Sequence, residues 1–522
     1  MSRSRLRHVA RALALALILV VQAGWVIVTT SGTYDETTYL SLGRSLLLSR
    51  DGAPLAGWGV APLPVLMTSG VSIGARASSY PRAIAWARAA AIVLFGVPLI
   101  VLTYWTVLKT VGPGAAPVAA AFVALSPNIV AHTSIAATDI CFVVAALVVL
   151  TALAHHLETP SFRSRILLGM ALAAALATKY SALQLFVIVP IASMAWRDGG
   201  RRSWIRRAVD GLVFTLVSCV AALLFVWILH GFAMVPFGLP PIEDVRLPAS
   251  IVGIARQVHH QSLGEPSFLL GHRSTSGWWY YMPVALAMKS SPAELIVGAV
   301  ALIALVMGWR ASGASGLVWR IALLVFGAFA LINHVDFGIR YMLVLVPLSM
   351  FLAAHWWTAT VRDRRWRVGA AVAVVSLQLF SAASIAPHDL SYFNSLSGGP
   401  ERGYLKLADS NVDWGQDLPA LAAELKSVGA THPLLSYFGT APPEAYDVYA
   451  DRWDGRIQDR FDRWDWAAVS ATNLDGVFLA TDPFVDFRSL TPDARAGYSI
   501  LLYSTGREDV RRAMATTARR FQ

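Results

Sequence analysis

The chain has 522 residues, of which 56% are hydrophobic and 14% charged, and its mean hydropathy is +0.54. A soluble protein carries roughly 25% charged residues, so this composition excludes an ordinary globular enzyme and points to a polytopic membrane protein. The net charge of +11 does not imply a nucleic-acid partner, because Lys and Arg cluster in short segments between apolar runs, which is a topology signal.

Arg3, Arg5, Arg7 and Arg11 precede an apolar run from about Ala12 to Val28. The run is long enough to span, and no small-residue cleavage pattern follows before Tyr34, so it reads as a retained helix and not a signal peptide. Further runs of about 17–25 residues, the length that a bilayer core demands, fall near 84–107, 114–131, 136–155, 165–178, 180–196, 208–231, 293–309, 318–333, 338–358 and 368–386. About eleven spans result, and an odd count puts the termini on opposite sides.

With the N-terminus in the cytoplasm, the inside loops hold Lys109, Arg163 and Arg165, then Arg197, Arg201, Arg202, Arg206 and Arg207. Arg310 and Arg320 follow, and then Arg362, Arg364, Arg365 and Arg367. The short outside loops hold little that is basic except Lys179 and Arg340, so charge bias and span count agree on the orientation.

Three outside segments are long. Residues 30–82 hold adjacent acids and a predicted amphipathic helix over Asp35–Leu48. Residues 232–292 are rich in Pro, aromatics and His. Residues 387–522 are too polar to span. In this tail a helix is expected over Gln416–Val428, and strands over Leu434–Phe438, Gly476–Ala480 and Tyr498–Tyr503. The expected organisation is therefore a transmembrane domain over 1–386 and a small outer α/β domain over 387–522. Cys141 and Cys219 lie inside apolar runs and read as packing residues, with no disulfide framework or metal-ligand spacing.

The charged residues that remain at the outer face are the candidates for chemistry. Thr33-x-x-Glu36 is a capping box, which accounts for Glu36. Asp35 beside it has no such account, and an acid at a membrane interface is a functional candidate. Asp139 opens the fourth run, where a helix-start acid is common. Lys179 and Arg340 oppose the charge bias. Either can snorkel to the interface or meet a phosphate. Lys289 is a weaker third cation. Two acids and two or three cations at one face suit transfer of a sugar from a polyprenyl phosphate. One carboxylate takes the proton of an acceptor hydroxyl, and cations hold the departing phosphate.

These motifs resemble bacterial class C glycosyltransferases of the protein-mannosyltransferase and aminoarabinose-transferase group. The resemblance rests on Tyr34-Asp35-Glu36, Ala61-Pro62-Leu63-Pro64, Thr138-Asp139, Ala177-Thr178-Lys179-Tyr180 and Arg340-Tyr341, and covers most of 1–386. Within the tail, His388–Asn394 and Asp409–Asp417 look like a subgroup with an outer α/β domain. The resemblance implies a metal-independent, inverting enzyme of the inner membrane that needs no cofactor, takes a polyprenyl-phosphate-linked sugar donor and passes the sugar to an unidentified acceptor. It implies Asp35, Glu36 and Asp139 as catalytic acids, with Lys179, Arg340, Tyr341 and Lys289 at the donor phosphate. Ala61 stands where the family often has His.

Trp278-Trp279-Tyr280-Tyr281 reads as an interfacial aromatic belt. Asp409, Asn411, Asp413 and Asp417 lack the spacing of a calcium loop and read as turn and cap residues. His259, His260 and His272 read as loop histidines and not as a metal site. The alternative to a transferase is a transporter or flippase, which places its charges nearer the bilayer midplane and is often built from paired repeats.

Overall fold

The computed structural model describes residues 3–197, 203–307, 313–454 and 461–521. Arg201, Arg202 and Arg310 lie outside the described residues.

Each of the predicted apolar runs is largely helical over its described residues. Helix α1 is Arg3–Thr29 and α2 is Tyr34–Ser49, followed by the shorter α3, Pro62–Gly74. Helix α4 spans Tyr80–Thr110. The run at 114–131 is split into α5 (Ala115–Ala124) and α6 (Pro127–Thr133), bent by 63°. Pro127 at the start of α6 and Ser126, whose hydroxyl caps it, account for the break. Then come α7 (Asp139–Glu158), α8 (Phe162–Thr178), α9 (Leu183–Ala195) and α10 (Trp204–Leu229). Next come α11 (Ala249–Leu263) and α12 (Tyr281–Lys289). The series ends with α13 (Pro292–Met307), α14 (Ala314–Ile332), α15 (Leu345–Thr360) and α16 (Arg364–Ile385).

Six of these helices are long and apolar enough to cross a membrane, or seven with the bent pair counted as one. The protein is a polytopic α-helical membrane protein. Its packing follows the membrane rule that small residues let helices approach closely. Ala116, Ala119, Ala120 and Ala124 of α5 are fully buried at the centre of the bundle. Helix α10 leaves Leu212, Val213, Leu216, Val217 and Val220 exposed, an apolar face suited to lipid. Arg320 is buried within α14 and not in a loop, because that helix begins at Ala314, earlier than the apolar run suggests.

The tail holds α17 (Leu418–Ser427), α18 (Glu508–Arg520) and five strands. The strands are β1 (Pro433–Ser436), β2 (Asp451–Arg452), β3 (Trp466–Ser470), β4 (Ala494–Ala496) and β5 (Ile500–Ser504). The sheet order is β2-β1-β3-β5-β4. β1 runs parallel to β2 and β3, whereas β5 is antiparallel to β3 and β4. The strand expected at Gly476–Ala480 is a turn. Gly476 has φ +66 and its N–H closes on the Asn473 carbonyl. The strand that fills the sheet centre is β3, whose residues are buried on both faces, so it shows no alternation.

The tail is tied to the N-terminus of α2. The Ser31 N–H donates to the Gln416 carbonyl at 2.8 Å, and the Tyr34 N–H to the Trp414 carbonyl at 2.8 Å.

Candidate active site

The ends of α2, α7, α8 and the turn before α15 converge on one cavity of about 1190 Å³. Asp35, Asp139, Lys179, Arg340 and Tyr341 all line it. Residues scattered over more than 300 positions are thus brought together.

Asp35 lies in the first turn of α2, and its Oδ2 accepts from Arg340 Nη1 at 3.0 Å. The Tyr39 hydroxyl, one turn further on, is 3.4 Å from the same oxygen. Arg340 sits in a 3₁₀ turn, Ile339–Met342, before α15 and not within it. Gly338 permits this turn. Its φ is +104, and a Cβ there would overlap the Asn411 amide, whose Oδ1 accepts the Ile339 N–H at 3.2 Å. The guanidinium lies over the Trp414 ring, 4.5 Å from its centroid, and also over Phe337 at 5.1 Å. Arg340 Nε is buried, with no acceptor among the described residues.

Lys179 caps the end of α8, and its Nζ bonds Asp139 Oδ1 at 2.5 Å. It also lies over the Tyr341 ring, at 4.7 Å from the centroid. Asp139 is 3% exposed, at the first residue of α7. The site therefore holds two acid–cation pairs side by side, with Tyr341 against both cations.

Glu36 has a different place. It is 1% exposed and lies off the cavity. Arg88 donates to it twice, from Nε at 2.8 Å and Nη2 at 2.7 Å. The Thr33 N–H at 2.8 Å completes the capping box, and the Ala136 N–H donates at 2.8 Å. Burial alone raises the pKa of this carboxyl, but Arg88 and the N–H donors outweigh it and hold it below the usual range. Glu36, grouped with the catalytic acids from the sequence, thus ties the start of α2 to the loop that carries Asp139.

Lys289 also lies off the cavity. Its Nζ is buried and donates to the Leu390 carbonyl at 2.8 Å and the Asn411 carbonyl at 2.6 Å. It fastens the tail to α12, and burial draws its pKa well down. Ala61 is at the cavity wall, at the N-cap of α3.

The tail supplies a wall of the cavity that the sequence did not reveal: Asp409, Trp414, Phe438 and Phe478. Phe438 and Phe478 stack at 5.5 Å, and Tyr34 stacks on Phe438 at 5.2 Å. Asp413 and Asp417 bond within the tail, and Asp417, expected as a cap, makes no side-chain cap bond. Asp413 accepts from the Thr472 and Gly415 N–H groups at 3.0 and 3.2 Å, and Asp417 accepts from the Ser499 hydroxyl at 2.8 Å. His259 and His260 line the cavity, with His260 against Glu265 at 2.6 Å. Among the described residues, no group of His, Cys, Asp and Glu is arranged to hold a metal ion.

No family model and no curated protein matches the chain. Solved structures do. ArnT from Cupriavidus metallidurans in its apo state is 14% identical, with 97% of this chain and 98% of that one covered and a TM-score of 0.48. The same protein bound to undecaprenyl phosphate is 14% identical over 95% and 97%, with a TM-score of 0.47. The archaeal oligosaccharyltransferase AglB from Archaeoglobus fulgidus, in complex with an inhibitory peptide and a dolichol-phosphate, is 15% identical, with a TM-score of 0.48. That match covers 74% of this chain, which spans 56% of the AglB chain.

Proposed function

We propose that the protein is a membrane glycosyltransferase that moves a sugar from a polyprenyl-phosphate donor to an acceptor hydroxyl at the outer face of the inner membrane. The observation that carries this reading is the shared cavity, in which Asp35 bonds Arg340 and Asp139 bonds Lys179. The basic loops between helices support a cytoplasmic N-terminus and an outer tail.

In the reaction, the acceptor oxygen attacks the anomeric carbon from the face opposite the phosphate. Asp35 takes the acceptor's proton. The bond between the anomeric carbon and the phosphate oxygen breaks, and its electron pair leaves on polyprenyl phosphate, so the sugar's configuration inverts. Arg340 and Lys179 hold the charge that develops on the phosphate. Arg340 donates to Asp35, so the base and a phosphate compete for one guanidinium. A phosphate that takes over Arg340 releases Asp35 to accept from the acceptor hydroxyl. Asp139 sets the position of Lys179.

The test is to incorporate the purified protein into liposomes with a panel of labelled polyprenyl-phosphate sugars and an envelope extract as the acceptor source. The expected result is label in the extract together with released polyprenyl phosphate. Movement of intact lipid-linked sugar across the bilayer without bond cleavage would instead establish the flippase reading.

A further inference from the structure

Asp409 has no role in the account above, yet its setting is unusual. It comes from the tail, is 7% exposed and opens onto the same cavity as Asp35 and Arg340. Its backbone lies at φ +54, in the left-handed region that L residues seldom adopt and that Asp and Asn tolerate best. The turn is pinned, with the Asp409 N–H on Thr472 Oγ1 at 3.1 Å and the Asp409 carbonyl accepting from Val412 and Asp413. Its carboxyl meets the Ser410 N–H, and among the described residues no side chain donates to it.

The charges around it do not balance if every acid is ionised. Asp35, Asp139, Asp409 and Glu265 line the cavity with Lys179, Arg256 and Arg340, four negative against three positive. A phosphodiester adds one more negative charge. The Tyr39 and Tyr341 hydroxyls, which also line it, are kept neutral by burial. With Asp409 neutral the protein's own cavity charges are three of each sign, and the residue provides an O–H donor, which a carboxylate lacks.

We propose that Asp409 acts as a neutral carboxylic acid that donates a hydrogen bond to a phosphate oxygen of the lipid-linked donor, so that donor binding requires a proton on this residue. The inference rests on the donor reading above. Burial, reinforced by Asp35 and opposed by Arg340, pushes the Asp409 pKa up to about 7, which supports it.

The experiment uses the full chain in nanodiscs. The probe is undecaprenyl methyl phosphate, a sugar-free phosphodiester that does not titrate between pH 6 and pH 8. Binding is measured at both values for wild type, Asp409→Asn, Asp409→Ala and, as a control off the cavity, Asp389→Asn. Asn keeps the left-handed turn and an N–H donor. His259 and His260 line the cavity in every variant, so the comparison is of profiles. Wild-type affinity is expected to fall about tenfold more than that of Asp409→Asn between pH 6 and pH 8, as one linked proton requires. At pH 6 Asp409→Asn binds as wild type does, Asp409→Ala binds more weakly, and Asp389→Asn keeps the wild-type profile. Parallel profiles for wild type and Asp409→Asn, or loss of binding in Asp409→Asn at pH 6, would overturn the proposal. No binding by wild type at either pH would overturn the donor reading itself.

Discussion

Asp35 and Arg340 are 305 residues apart in the chain, and their side chains are 3.0 Å apart. The pair joins the first turn of α2 to the turn before α15. It also couples the candidate base to the candidate phosphate contact.

Arg340→Ala is expected to weaken donor use by about 10- to 100-fold in kcat/KM for the donor, the scale of a lost hydrogen bond between charged groups. Arg340→Lys recovers part of this, because an ammonium offers charge without the planar fork of a guanidinium. Steady-state kinetics with varied donor at fixed acceptor give the answer. Donor dependence that is unchanged in Arg340→Ala would remove Arg340 from the phosphate site.

Lys179 and Asp139 form the second pair, at 2.5 Å. Asp139→Asn loosens Lys179 without removing it, so the expected effect is a raised donor KM with a smaller change in kcat. Lys179→Ala has the larger effect on the donor. The double variant should cost less than the sum of the two, because each single change already breaks the same contact. Additive losses would show that the two residues act separately.

Glu36→Ala is expected to act on folding. Breaking a buried pair by removing one partner costs about 3–5 kcal/mol, because Arg88 is left charged and unpaired. Thermal unfolding in detergent should show a large drop in the midpoint and a low yield of folded protein. Removing Arg88 as well should restore part of the loss. A Glu36→Ala protein that unfolds like wild type but transfers no sugar would make Glu36 a direct participant.

The tail should lose stability as pH rises. Burial pushes Asp389 up to about 7 and Asp413 up to about 8. Each exceeds the value for an exposed Asp, near 3.8. The folded state then binds more protons than the unfolded state between those limits. Stability is fully present below about pH 4 and is lost as pH climbs through 7 to 8. The unfolding midpoint should therefore be higher at pH 5.5 than at pH 8.5, and the difference should shrink in Asp389→Asn. A midpoint that rises with pH would contradict this.

Much of the membrane portion was legible in the sequence because apolar runs and the Arg and Lys between them report directly on the bilayer. The capping box at Thr33 and Glu36 was legible because it is local. Arg88 was not recognised as the partner of Glu36, although an Arg within an apolar run is costly unless paired, and that was the available signal. Lys289 looked like a phosphate contact because sequence does not say which carbonyls surround a Lys. The tail was read least well. Strand β3 is buried on both faces and so lacks alternation, and the tail wall of the cavity depends on docking between residues hundreds of positions apart. Trp414 and Asp409 could not be placed beside Arg340 without that docking.

The central claim is that Asp35 is the base. The direct measurement compares sugar transfer by wild type and Asp35→Asn in liposomes, at matched amounts of folded protein and saturating lipid-linked donor. The expected result is a fall in kcat of about 100- to 10,000-fold, the range for loss of a general base, with phosphodiester lipid still bound. Transfer by Asp35→Asn at the wild-type rate would contradict the account.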